Sequence, residues 1–231
     1  MAEQNRVTPL GDIVAIPLRG AWTGNRGILH DSDSDSDGES DSQGQAGHRI
    51  VRSHASDLWI TCALEFRGRW REQWRPHHYT HLFFHDEAVS FAAGHRPCAE
   101  CRRADYRAYQ QAWAAAELIT ARSAAGQTNP APVPSAKEMN ARLHSERIVP
   151  GTHRRRLHEL AWAGLPDGTF VLEDGQPALV FGDAIVPWTT GGYAARQPRP
   201  ATGTATVITP PSTVAVLRAG YPVQIDDSAR G

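Results

Sequence analysis

A chain of 231 residues with 40% hydrophobic content can bury a real core, which excludes a wholly disordered polypeptide and allows one large domain or two small ones. Its formal net charge of -1 is unevenly spread: Asp31, Asp33, Asp35, Asp37, Glu39 and Asp41 crowd into "DSDSDSDGESD", and the remainder is net basic. No later stretch approaches the ~18 apolar residues that span a bilayer, and the first twenty residues lack a charged start followed by an apolar run, so a cytoplasmic protein without a membrane partner is expected.

In chain order, residues 1–30 read as an N-terminal strand and a glycine-rich loop. Ile13 to Leu18 is a short β-like run, and Gly20, Gly24 and Gly27 mark the next stretch as a loop, not a strand. Residues 31–47 form an acidic Ser/Asp/Gly insertion with nothing to bury, expected to be disordered. Its aspartates resemble a calcium loop, but the glycine and the closing glutamate fall at the wrong positions.

From 48 to 120 the composition turns to aromatic, His and Arg. "LWITCALEF" predicts a strand and "EAVSFAA" a short helix ended by Gly94. "RRADYRAYQQAWAAAEL" places Tyr106, Tyr109 and Trp113 on one helical face. Residues 121–136 then read as a Pro/Ala/Ser linker. The span 137–231 combines a helical segment with a small β-rich domain. There "AKEMNARLHSER" and "RRRLHELAWAG" predict helices, while "TFVLEDGQPALVFG" predicts a hairpin turning at Asp174-Gly175. "DAIVPW" and "TATVITP" are further strands, and "PSTVAVLRAGY" is a short helix opened by Pro211-Ser212 and closed by Gly220. The expected fold class is α+β: a small zinc-binding module at 48–120 joined to a β-rich domain with short helices.

The chemistry concentrates on three cysteines. An odd number of cysteines without a secretory signal argues for thiols or metal ligands over a disulfide framework. Cys98 and Cys101 have chelating spacing at the start of a predicted helix, whose free amides and positive dipole end favour thiolate. Cys62, 36 residues earlier, is the third candidate ligand. Zinc is the expected cofactor, because it takes four sulfur and imidazole donors. The fourth would come from histidine, with His30 and His95 as the candidates.

"FFHDEAVSFAAGHRPCAEC", residues 83–101, resembles the end of the Ada-type metal-binding domain and its relatives appended to some nucleases. That motif runs from an aromatic strand through a short helix to Gly-aromatic-Arg-Pro-Cys-x-x-Cys. The resemblance implies a small zinc module, often attached to proteins acting on DNA, and it transfers ligand roles to Cys98 and Cys101. The family places two nearby ligands on its first strand, where "WITCALEF" has only Cys62, and its methyl-acceptor chemistry is not carried over.

A nucleic-acid partner, with DNA favoured over RNA, is read from Arg67, Arg69, Arg71 and Arg75 interleaved with Phe66, Trp70, Trp74 and Tyr79. The helix after the cysteine pair adds Arg102, Arg103 and Arg107. The expected function is therefore a zinc-binding protein that binds nucleic acid in DNA processing or repair. The alternatives are a metal-dependent, nuclease-like hydrolase and a zinc deaminase. The nine residues between Glu87 and Pro97 are too few for the deaminase's helix and strand. No catalytic residue is assigned.

Overall fold

Short strands build most of this protein. The computed structural model describes residues 3–31, 49–69, 72–125 and 132–231. One sheet holds β1 (Gln4–Val7), β2 (Ile13–Ala15), β3 (Trp22–Asn25), β4 (Ile60–Cys62), β5 (Leu82–Phe84) and β6 (Arg96–Pro97), in the order β2-β1-β5-β3-β4-β6. Within it β1·β5 and β4·β6 are parallel and the other pairs antiparallel. The second sheet holds β7 (His158–Ala161), β8 (Phe170–Glu173), β9 (Gln176–Phe181), β10 (Ala184–Thr189), β11 (Gly192–Tyr193), β12 (Gln197–Pro198) and β13 (Thr204–Val207). Its order is β11-β10-β9-β8-β13-β7, with β12 also paired to β10. With α1 (Glu87–Ala92), α2 (Arg103–Ala125), α3 (Ala136–Arg147) and α4 (Pro211–Arg218), the fold is α+β.

Helix α1 is short because both of its ends are fixed. Asp86 caps it, Oδ1 accepting from the Val89 amide at 2.8 Å, and Gly94 leaves it at φ 90°, a conformation that costs glycine nothing. All six of its residues are buried. Ala88, Val89 and Ala92 pack with Ile16 on one side and Phe170, Leu179, Val186 and Trp188 of the second sheet on the other. Phe91 turns instead towards Tyr109 and Trp113 of α2 and Val216 of α4. Each such large side chain contributes roughly 1.5–3 kcal/mol on burial. The apolar interior thus crosses from residues 48–120 into 137–231.

Three sequence expectations are corrected. The glycine-punctuated stretch forms strand β3, paired with both β4 and β5. Gly24 lies so close to β4 that a Cβ there would sit 2.1 Å from the Ile60 carbonyl oxygen, so this glycine permits a strand contact and does not mark a loop. "RRRLHELAWAG" is no helix: His158–Ala161 is strand β7 and Trp162–Gly164 a single 3-10 turn. Strand β13 offers four paired residues, from Thr204↔Ala161 to Val207↔His158, and this ladder outweighs local helix propensity. Helix α2 also runs to Ala125, into the span read as a linker, because its alanine-rich end favours helix. The hairpin turn has Asp174 at φ 48° and Gly175 at φ 79°, as the Asp-Gly pair predicts. The acidic insertion lies outside the described residues, apart from Asp31. His30 and Ile50 on its two sides form a bridge.

Substituting Gly24→Ala should destabilise the protein by roughly 1–3 kcal/mol, because the added methyl meets backbone that cannot move aside. A lower urea midpoint at unchanged slope checks this.

Candidate metal centre

Strands β3, β4 and β6 set out the thiols. Cys62 ends β4 opposite Thr23. Strand β6 runs parallel to β4, with Thr61 beside Pro97, so the next residue, Cys98, arrives alongside and its amide donates to the Thr61 carbonyl at 2.9 Å. The chain then turns, the Arg102 amide donating to the Cys98 carbonyl at 3.2 Å, and Cys101 returns over the same spot before α2 begins. The three Sγ atoms lie within 4.8 Å of one another. Cys98 is buried, and Cys62 and Cys101 are half-buried. Among the described residues no other His, Cys, Asp or Glu joins this group. The thiols open on a cavity of about 450 Å³, also lined by Leu64, Phe66, His81, Phe83 and Glu100.

The thiols share their protons. Hydrogen bonds with Cys101 and Cys98, followed by burial, push the Cys62 thiol up. Cys98 is pulled down, first by hydrogen bonds with Cys101 and Cys62, helped by the Cys101 and Glu100 amides. The Glu100 N–H donates to Sγ of Cys98 at 3.4 Å. Cys98 is thus the sulfur whose neighbours favour the deprotonated form. Soft donors at this separation fit a thiophilic cation such as zinc, which binds the deprotonated forms and releases the remaining protons. No family model, curated protein or solved structure matches this chain, so the site is read from its own chemistry.

The two histidine candidates sit elsewhere. His30 is buried with its Nδ1 2.7 Å from Thr80 Oγ1 and its ring edge-on to Trp74. His95 is fully buried; its Nε2 accepts from Nε of Arg26 at 3.2 Å, and its ring lies against Trp59 and Phe84. Neither is brought into the three-thiol group. Phe66 and Tyr79, read from the sequence as aromatics of a nucleic-acid surface, line this cavity instead, together with His81, one of several histidines in a His-rich stretch with no spacing signal of its own.

The arginines divide. Arg103 and Arg107 are exposed on α2, Arg67 is exposed with its guanidinium over the Phe66 ring at 4.9 Å, and Arg69 is exposed but paired with Glu100 at 2.7 Å. Arg71 lies outside the described residues. Arg102 is the correction: it points inward, 4% exposed, stacked on Trp22 at 3.8 Å and paired with Glu87 at 2.5 Å and Asp105 at 2.8 Å. This guanidinium is committed to the interior and does not face a phosphate. Its partner Glu87 has no exposed surface and also accepts from the Tyr221 hydroxyl at 2.9 Å and the Gln224 amide at 3.0 Å. Both Glu87 oxygens are therefore held by structural donors, which removes the proton-transferring glutamate that the deaminase alternative needs.

Two outcomes are expected. Arg102→Ala should cost about 3–5 kcal/mol by leaving Glu87 buried and unpaired, whereas Arg103→Ala and Arg107→Ala should each change stability by less than ~0.5 kcal/mol in denaturant titrations. The second concerns pH. Burial first, then the charges of Arg26 and Arg147, hold His95 well below the ordinary histidine value. The unfolded chain takes up a proton near pH ~6.5 that the folded chain refuses. Stability should therefore fall as pH drops below ~6.5, by at most ~1.4 kcal/mol per pH unit from this residue. Melting temperatures from pH 7.5 to 5.5 read this slope, and His95→Gln should flatten it.

Proposed function

We propose that the protein holds a zinc ion on Cys62, Cys98 and Cys101 and binds nucleic acid on the basic face beside that site. The observation that carries the reading is the convergence of three Sγ atoms within 4.8 Å, from a strand and a turn far apart in sequence. Three soft donors in a reducing compartment select zinc over the hard cations, which prefer oxygen. Bound there, zinc would tie β4 to the turn that starts α2.

Nucleic-acid binding is supported by the local resemblance of residues 83–101 to zinc modules of DNA-acting proteins. It is also supported by the outward arginines: exposed Arg67 and Arg69 follow Cys62 in the chain, Arg69 in the cavity wall, and exposed Arg103 and Arg107 follow Cys101. Arg69 is held by Glu100 through an exposed pair, worth little in water, so a phosphate can exchange for that carboxylate. A metal-dependent hydrolase is the second reading. It is favoured by one observation, that only three protein donors meet among the described residues and they do so beside a cavity. Catalytic zinc sites keep such a position open, whereas structural ones close it.

Protein purified without a metal-binding tag should contain about one zinc per chain, and Cys98→Ser should lose it together with part of the stability. Absence of metal from the parent, or an unchanged melt in the variant, would refute the site. X-ray absorption at the zinc edge distinguishes three sulfurs plus one light atom from a closed four-ligand shell. In gel-shift titrations at several salt concentrations, Arg67→Ala, Arg69→Ala, Arg103→Ala and Arg107→Ala combined should weaken binding to DNA. Each lost phosphate contact should flatten the log–log salt slope by roughly 0.7–0.9. Zinc content should stay the same. If the parent binds neither DNA nor RNA at low salt, the nucleic-acid reading falls and the metal site stands alone.

A further inference from the structure

At the other end of the β3·β4·β6 ladder, away from the thiols, the same strands lead into a cluster of buried cations. Arg26 follows β3, Trp59 precedes β4 and His95 precedes β6. Arg26 and Arg147 are each 1% exposed, and both place their guanidinium carbons 3.9 Å from the centre of the Trp59 ring. Arg155 reaches in from the chain after α3, where it donates to the carbonyls of Ala92, Ala93 and Ile208. Among the described residues no carboxylate lies within ion-pair distance of any of the three. The acids whose fields reach them are Asp12 and Asp57, both exposed.

Arginine is seldom buried without a counter-charge. Here the guanidiniums donate to backbone carbonyls, which satisfy hydrogen bonds but do not neutralise charge. Burial, followed for two of them by mutual repulsion, pushes Arg26 down to about 9, Arg147 to about 8 and Arg155 to about 9. The donors are also not used up: Nη2 of Arg26 and Nε of both Arg147 and Arg155 are buried with no partner among the described residues.

Arg26 and Arg155 border a cleft of about 350 Å³ whose walls also include Arg52, Ser53, Trp59 and His153. That volume is within the range of small-ligand pockets, ~300–1,000 Å³. Gly11 lines the cleft as well, and a Cβ there would lie 3.7 Å from the unpartnered Arg26 Nη2, which places that nitrogen just beneath the cleft wall. Arg52 is exposed at the rim, and Ser53 Oγ lies 2.9 Å from His54 Nδ1 and 3.4 Å from His153 Nδ1. Asp12 is the one carboxylate in the wall.

We infer that this cleft is an anion site for a phosphate monoester, bound by Arg26 and Arg155 at its floor and by Arg52, Ser53 and His153 at its mouth. A dianion is the better match than a carboxylate, because Arg26, Arg147, Arg155 and the rim Arg52 supply four positive charges against the two acids near them, Asp12 and Asp57, and so leave two to balance. Guanidinium forks suit the oxygens of a phosphoryl group. Two guanidiniums already lie over the Trp59 indole, so recognition rests on the phosphate and not on stacking. The site does not depend on the metal or on the nucleic-acid reading.

The test is isothermal titration of the full, metal-loaded chain at constant ionic strength with four probes. These are inorganic phosphate, adenosine 5′-monophosphate, and a short single-stranded DNA with or without a 5′-phosphate. Binding of phosphate alone marks a free-ion site, tighter binding of the nucleotide marks a small ester, and preference for the 5′-phosphorylated over the 5′-hydroxyl strand marks a nucleic-acid end. Each supports the assignment. Arg52→Ala, at the exposed rim, should keep the parental melting temperature and weaken the preferred ligand by about tenfold. Arg26→Met should abolish binding. If Arg26→Met fails to fold, the paired readout is Arg52→Ala with His153→Ala, which should weaken binding further than either change alone. Failure of all four probes to bind, or binding unaltered in the rim variants, overturns the proposal. Zinc content measured on the same samples separates that result from a failure of the metal site.

Discussion

The constraint on which the architecture depends is the burial of two adjacent carboxylates, Asp86 and Glu87, at the start of α1. Buried acids are tolerated only when donors surround them, and here the donors come from widely separated parts of the chain. Asp86 accepts from the Val89 and Asp226 amides and from the Tyr193 hydroxyl. Glu87 accepts from Arg102, Tyr221 and the Gln224 amide. The pair therefore pins three things to one helix end: the turn carrying Cys98 and Cys101, the edge of the second sheet, and the C-terminal segment. Burial raises both acids above the ordinary carboxylate range while their donors pull the other way. The contribution of this network lies in specifying one arrangement of the two sheets more than in net stabilisation.

Local rules were legible where one residue settles the conformation. Gly94 ends α1, Asp174-Gly175 turns the hairpin, and Pro211 opens α4, each for a reason contained within a few residues. Rules failed where a partner far along the chain decides. Gly24 looks like a loop residue until Ile60 is placed against it, and "LHELA" looks helical until β13 is laid beside it. The three thiols were legible because ligand chemistry narrows the choice to so few residues. The histidines were not, because spacing alone does not distinguish a ligand from His95, whose ring fills space between Trp59 and Phe84.

The same difficulty explains Arg102. In sequence it adjoins Arg103 and comes directly after Cys101, which makes it read as part of a basic face. The first turn of α2 rotates the two apart: Arg103 meets solvent, while Arg102 goes under Trp22 to Glu87. Helical geometry, at about 100° per residue, is enough to give neighbouring cations opposite roles. Counting arginines in a sequence therefore overstates the charge available to a polyanion. Arg26, Arg96, Arg102 and Arg147 are all buried, and they serve as donors to carbonyls, amides and carboxylates and as plates against indole or phenol rings.

Lys137 is the single lysine of this chain, and at the inward positions arginine is the residue that fits. The interior makes use of features that lysine lacks. A guanidinium is planar, weakly hydrated and able to stack while donating at its edges; an ammonium between Trp59 and a backbone carbonyl would lose its hydration without gaining a second face. The Arg26–Trp59–Arg147 stack depends on that property, since both guanidiniums lie over one indole and neither has an acid partner among the described residues. Such a stack satisfies geometry and leaves charge over. Because that excess sits at one end of β3, β4 and β6 and the thiols at the other, the short ladder separates a positively charged pole from a pole of soft donors that gather a cation. An anion that enters the first pole stabilises the folded chain by binding it alone, and so does a metal at the second. Ligands of opposite charge would then stabilise the two ends of one three-stranded ladder, each through the strands that end there.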